Sequence, residues 1–327
     1  MPQNCSTIHR IALALSLAIV GSTNAPAASL SPGLQLALDT RATQMGVDRS
    51  GHLWAWHAGN GSVWLIDAEQ GLLAEASAPD AGSLDADREW GIAALSGDGN
   101  TLSLLTWEGQ VTRRIPLPDQ GGDVCWVAAA TVAISPVMAG HRVELWDVAQ
   151  GFQIATFGSE QPIRPRPGAT RLRFVRLQFD VQRQQLYTLD TFTGSLQVFT
   201  LDGKMVRESL LPPARRESME QWLEQVDQEY KARNEVFTPN LHLWADFRVD
   251  PEGTTWVISA CDYEAGGAAL LSLNPSGDSH EISATTGACC SRKFVLWAGQ
   301  SLYYREPTLP KPPCNGVGTL PNSGGVQ

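Results

Sequence analysis

Positive charge is scarce in this 327-residue chain: 24 Lys and Arg stand against 34 Asp and Glu, a formal net charge of -10. A general nucleic-acid binder needs a cationic surface to displace phosphate counterions, and an anionic membrane surface selects the same sign. Neither nucleic acid nor a membrane surface is therefore expected as a partner. Long hydrophobic runs are lacking too. The longest apolar stretch, 11–20, is too short to span a bilayer. Catalytic signatures are also missing: there is no G-x-S-x-G, no P-loop and no dinucleotide fingerprint. Gly277-Asp278-Ser279-His280 follows Asn274-Pro275-Ser276 and reads as a turn.

Metal-ligand spacing is equally thin. His52 and His57 sit at an odd offset in strand-like sequence, which sends them to opposite faces. His141, His242 and His280 are scattered. Asp85-Ala86-Asp87-Arg88-Glu89 begins like a calcium loop, but Trp90 stands where that loop requires Gly. No catalytic residue, no metal ligand and no cofactor is assigned. A looser carboxylate site for a divalent ion such as calcium, at a channel mouth, is compatible with the sequence.

What is present begins with an export signature. Arg10 precedes the apolar run, and Ala25-Pro26-Ala27 supplies a small-x-small cleavage pattern. Residues 1–27 are expected to be a signal peptide, which places the mature chain in the periplasm or outside the cell. The alternative is a buried N-terminal helix. No Cys lies at the junction, so no lipid anchor is expected. Cys5 leaves with the signal, and Cys125, Cys261, Cys289, Cys290 and Cys314 remain. In one reading Cys261 and Cys314 each pair with a member of the Cys289-Cys290 dipeptide and staple the end of the fold. In the other, the adjacent cysteines form a vicinal disulfide. Cys125 is left as a buried thiol.

Short strand-like runs recur between Gly, Asp and Asn turns, as in Val63-Trp64-Leu65-Ile66 before 67–71 and Val143-Glu144-Leu145-Trp146 before 147–151. A strand, an aspartate turn and a second strand repeat at 48–54, 97–102, 180–187 and 250–256, with a fainter copy at 297–302. The spacing of about 50 residues between the first two is that of propeller blades. The chain is expected to be all-β: a monomeric six-bladed propeller over 28–320 with a disordered tail at 321–327. Inner strands should begin near Ala42, Glu89, Asp123, Leu172, Leu243 and Ser291. Blade two is short in this frame, and five or seven blades also fit. Leu34 to Leu38 is available to complete the last blade and close the ring. Leu145-Trp146-Asp147 carries a WD dipeptide, but Gly140-His141 lies too close upstream for a WD repeat, so Trp146 reads as blade core.

The fullest copy runs over 179–204. Leu186-Tyr187-Thr188-Leu189-Asp190, Leu196-Gln197-Val198-Phe199 and Asp202-Gly203-Lys204 follow in order. This resembles an NHL repeat, and the chain resembles the NHL/YVTN-type propellers, six-bladed and of the exported bacterial kind. The segments 47–71 and 249–277 look like weaker copies. One segment breaks the rhythm. Over 217–236, Met219, Trp222, Leu223, Val226 and Tyr230 fall at helical spacing, and Ser218 with Gln221 suits a capping box. One inserted helix is expected within about 213–240, as a strut over apolar surface or as a lid.

Inner strands of a propeller line its channel. Arg164, Arg166, Arg171, Arg173 and Arg176 cluster in an otherwise acidic chain. Arg171 and Arg173 share a strand face aimed at the channel, and Trp90, Trp126, Trp244, Asp246 and Arg292 fall near equivalent strand starts. These seven are the candidate ligand residues. The alternative is that the arginines pair with acidic neighbours between blades. Three functions compete. The first is a non-catalytic binding or scaffold propeller engaging a protein, a peptide or a small ligand on one face, and the balance lies here, against an enzyme. The second is a propeller hydrolase of the metal-dependent lactonase/esterase kind, or a lyase. The third is a periplasmic redox subunit, because Cys289-Cys290 resembles the vicinal pair of propeller quinoprotein dehydrogenases.

Overall fold

A computed structural model describes residues 8–11, 42–137, 140–159, 174–191, 193–211, 228–229, 231–233, 244–259, 268–284, 294–298 and 301–305. Strand-forming runs rich in Val, Ile, Leu and Trp alternate with Gly- and Asp-bearing turns, and each run pairs antiparallel with the next. The result is a β-propeller. Blade one comprises β2 (Gln44–Val47), β3 (Leu53–His57), β4 (Ser62–Asp67) and β5 (Gly71–Ser77). Blade two comprises β6 (Ala81–Asp87), β7 (Gly91–Ser96), β8 (Thr101–Leu105) and β9 (Val111–Pro116). Blade three comprises β10 (Gly121–Ala128), β11 (Thr131–Pro136), β12 (His141–Asp147) and β13 (Phe152–Ser159). Blade four comprises β14 (Val175–Asp180), β15 (Gln185–Asp190), β16 (Ser195–Thr200) and β17 (Met205–Leu210). Blade five comprises β18 (Trp244–Val249), β19 (Thr255–Ser259), β20 (Ala268–Leu273) and β21 (Ser279–Ala284).

The expected six blades are corrected to five four-stranded ones among the described residues. Beside them is a three-stranded sheet of β22 (Phe294–Ala298), β23 (Ser301–Arg305) and β1 (Ile8–Ile11), with β23 in the middle. Its strand β22 lies beside both β18 and β2, so this sheet sits between blades five and one. The third strand comes from Ile8–Ile11, within the segment expected to be a signal. Leu34 to Leu38, expected to supply it, lies outside the described residues. So do residues 321–327 and almost all of 213–240, and no complete helix is among the described elements.

The frame of the repeat is set by one turn. After the inner strand an aspartate folds back onto the next backbone N–H groups. Asp48 Oδ1 accepts from Ser50 and His52 at 2.8 Å each. Asp87 Oδ1 accepts from Glu89 at 2.8 Å and Trp90 at 3.0 Å. Asp180 Oδ1 accepts from Gln182 at 2.9 Å and Arg183 at 3.0 Å, and Asp250 Oδ1 from Thr254 at 2.8 Å. At Asp48, Asp87 and Asp180 these are Asx turns, in which the carboxylate accepts from the N–H two residues on; at Asp250 the carboxylate closes a wider turn. The sequence reading placed the blade-two copy at 97–102, but that segment is the following turn, between β7 and β8. The true equivalent is Asp87, so inner strand β6 begins at Ala81 rather than near Glu89, and blade two is complete.

The core lies between blades. Trp54, Trp56, Val63 and Leu65 of blade one pack on Leu84, Ala86 and Ile92 of blade two. Leu95 and Leu102 meet Val124, Trp126 and Ile134 of blade three. Cys125, Ala133 and Val143 meet Val175, Leu177 and Leu186 of blade four, and Leu196 and Val198 meet Trp244 and Phe247 of blade five. Trp146 is buried in this core, as its sequence context implied.

Candidate functional site: the central channel

An inner strand has one edge paired to its own blade and the other facing the channel, so its N–H groups need partners from elsewhere. A side-chain acceptor from the preceding blade supplies them. Gln44 Oε1 of blade one accepts from the Leu84 N–H of blade two at 3.3 Å. Asp85 Oδ2 of blade two accepts from Trp126 N–H of blade three at 2.8 Å. Asp123 Oδ2 of blade three accepts from Leu177 N–H of blade four at 2.9 Å. Gln178 Oε1 of blade four accepts from Val249 N–H of blade five at 3.1 Å. The next junction reverses the polarity: Arg248 of blade five donates through Nη2 to the Met45 carbonyl of blade one. Arg248 Nη1 also donates to Asp246 Oδ1 at 2.8 Å.

Inside these clasps lies a cavity of about 480 Å³, lined from all five inner strands and the turns that follow them. Among the residues that line it are Asp85, Asp123, Asp246, Cys125, Arg176, Arg248, Trp54, Trp90 and Trp126. At the mouth, Arg49 pairs with Asp87 at 3.2 Å and lies 4.1 Å above the Trp90 ring, a cation–π contact. Trp90 meets Trp126 edge-on with centroids 5.9 Å apart. Arg183 bridges blades four and five, donating to Asp180 at 2.7 Å and to the Pro251 carbonyl at 2.6 Å. Arg176 stands 3.6 Å from Asp123 and keeps 38% of its side-chain surface exposed.

Two groups in the wall have shifted acidity. Burial pushes the Asp85 carboxyl up to about 7, against the opposing pull of the Trp126 and Ala86 N–H groups; the Asp123 charge raises it further and the Arg248 charge lowers it. The Cys125 thiol is raised well above its usual range by burial first, then by Asp85 and Asp123. A thiol so placed stays protonated at neutral pH and is a poor nucleophile. Among the described residues, no group of three His, Cys, Asp or Glu side chains is placed to hold a metal ion.

Of the seven candidate residues, the structure brings Trp90, Trp126 and Asp246 to the cavity. Trp90 does so from the turn after β6, not from a strand start. Trp244 begins β18 but is buried in the core between blades four and five, with its indole against Gly194. Arg171, Arg173 and Arg292 lie outside the described residues, as do Cys261, Cys289, Cys290 and Cys314. Cys125 is free and buried. Arg176, the described member of the arginine cluster, approaches an acidic neighbour on the adjoining blade. The sequence reading missed Gln44, Gly46, Trp54, Asp85, Asp123, Gln178 and Arg248 as channel residues. A signal for most of them existed: stepping back by the strand period of two from each turn aspartate lands on them.

No family model matches the chain, and no curated protein matches it. Solved structures do. A streptogramin B lyase structure is 15% identical with a TM-score of 0.50, covering 80% of this chain and 75% of its own. A catalytically inactive virginiamycin B lyase from Staphylococcus aureus, with quinupristin, is 12% identical with a TM-score of 0.50, covering 80% of this chain and 76% of its own. At that identity the likeness is one of fold.

Proposed function

We propose that this protein is a non-catalytic binding propeller of the periplasm or extracellular space, which takes a small ligand, or the projecting end of a peptide or protein partner, into its central channel. The observation that carries this reading is the polar cavity where five inner strands converge. Its volume is in the range of small-molecule sites, about 300–1,000 Å³. Its mouth offers aromatic surface at Trp90 and a partly exposed guanidinium at Arg176. Most of its carboxylates are already engaged by backbone N–H groups and arginines, which suits recognition better than proton transfer. The test is native mass spectrometry of the protein purified from exporting cells. A non-covalent adduct is expected, lost on denaturation and depleted in Trp90→Ala. A bare wild-type protein, or an adduct indifferent to Trp90→Ala, would refute channel binding.

A second reading rests on Asp85, whose carboxyl near 7 is suited to general acid–base work in a closed site. It predicts turnover of the bound molecule that Asp85→Asn abolishes while binding persists. Accumulation of unchanged ligand on the wild-type protein excludes it.

A further inference from the structure

The outer strand of every blade is a sheet edge, and an open edge pairs with any strand that reaches it unless something blocks it. In four of the five blades the outer strand is blocked in the same way. The β4–β5 ladder slips at Leu65/Ile66, the β8–β9 ladder at Leu104/Leu105, the β12–β13 ladder at Leu145/Trp146 and the β16–β17 ladder at Val198/Phe199. Each slip leaves one residue of the outer strand without an opposite number: Leu73, Thr112, Ile154 and Val206. Such a bulge bends the strand and interrupts the row of outward N–H and C=O groups that an added strand needs.

β21 of blade five is different. It pairs with β20 from Leu273↔Ser279 to Ala268↔Ala284 with no slip. It ends its sheet, and among the described residues no other strand pairs with it. The turn that leads into it is of the same kind as those before β9 and β17: Gly277 N–H donates to the Asn274 carbonyl at 2.9 Å, and Asn274 N–H to the Asp278 carbonyl at 3.0 Å. The second bond fixes which groups face inward. Asn274 and Asp278 form a hydrogen-bonded pair, and such pairs alternate along an antiparallel ladder. His280, Ile282 and Ala284 therefore turn their backbone groups to β20, and Ser279, Glu281 and Ser283 turn theirs to the open side.

We propose that this edge receives an extended, basic segment of a partner protein as a fifth, antiparallel strand of blade five. The surface is separate from the channel. Main-chain bonds to Ser279, Glu281 and Ser283 supply the affinity, and Glu281, the middle one of the three, sets the preferred charge of the partner. Glu281 is the one Asp, Glu, Lys or Arg in Ser279–Ala284, and the whole chain carries a net charge of -10. A second copy of this chain is the poorer occupant. The antiparallel register that uses all three outward residues sets Glu281 opposite its own copy, and like charges directly opposite destabilise a strand pair.

Backbone amide exchange of the whole protein is followed by NMR, alone and with the peptide acetyl-Thr-Lys-Val-Lys-Val-Lys-Thr-amide. A counterpart with Glu in place of Lys and a fully N-methylated version are the controls. In the free, dilute protein Ser279, Glu281 and Ser283 should exchange at least about tenfold faster than His280 and Ile282. The basic peptide should bind and slow those three amides. The acidic one should bind at least about tenfold more weakly, and the N-methylated one should not bind. Ser283→Pro removes an outward N–H and spares the β20 ladder, so it should abolish binding without loss of the fold. Glu281→Lys should reverse the preference between the two charged peptides, and decides the matter if the proline variant does not fold. No binding at about 1 mM basic peptide, equal affinity for the basic and acidic peptides, or equal protection of β5, β9, β13 and β17 would each overturn the proposal. So would slow exchange of the three outward amides in the free protein. That result means the edge is covered by the chain itself, or by a second copy where protection rises with protein concentration.

Discussion

The four junctions from blade one to blade five and the junction that closes the ring solve the same problem in opposite ways. At the first four, a Gln or Asp side chain reaches forward to an N–H of the next inner strand. At the closure, Arg248 reaches forward to a carbonyl instead. The first kind meets each junction with one acceptor oxygen. The second brings a group with five N–H donors, more than the junction needs. The same residue that ties the ring shut is also one of those that line the channel cavity. Among the described residues, closure is also where the sheets are thinnest, with a three-stranded sheet between blades five and one.

The largest expected effect is at that closure. Arg248→Met removes the bond to Met45 and leaves Asp246 beside an apolar stem. Breaking a buried ion pair from one side costs about 3–5 kcal/mol, which urea denaturation would register as a lower midpoint. Loss comparable to a Gln clasp would show that closure is not special. The next effect is pH-dependent. With its carboxyl raised from 3.8 to about 7, Asp85 binds a proton in the folded state that the unfolded state releases earlier. Stability should therefore fall as pH rises from about 4 through 7, by at most about 4 kcal/mol and less where channel water screens the charge. Asp85→Asn should flatten that slope, and thermal melts at pH 5 and pH 8 would read it. A wild-type midpoint that rises over the same window would contradict this account. The smallest effect belongs to the neutral clasps: Gln178→Ala should cost about 1 kcal/mol through the freed Val249 N–H, visible as faster amide exchange at Val249 alone. Exchange spreading through blade five would mean that the clasp holds more than its own bond.

Much of the architecture was legible before any coordinate. Period-two apolar runs and Asp-Gly turns identify strands, and the recurrence of Asp48, Asp180 and Asp250 marks inner-strand ends, because a turn closed by its own aspartate depends only on neighbouring residues. Blade two misled for the same local reason. Asp98 also sits in a Gly-Asp-Gly turn, with its carboxylate on Asn100 N–H at 3.1 Å, and no local feature separates it from Asp87. The candidate site was only partly legible. Trp126 and Asp246 belong to inner strands and could be placed by counting, whereas Trp90 reaches the mouth from a turn.

By itself the sequence determined the secondary structure, the blade rhythm and the burial of residues such as Trp146 and Cys125, because these follow from propensity and alternation within a few positions. Only the tertiary structure decided which strand begins each blade, which polar group meets which N–H across a junction, and that Gly46, Trp54 and Arg248 line one cavity. Arg248 and Met45 are 203 positions apart, and nothing local to either one announces the other. Their meeting depends on the curvature that brings the fifth blade round to the first, a property of the ring as a whole.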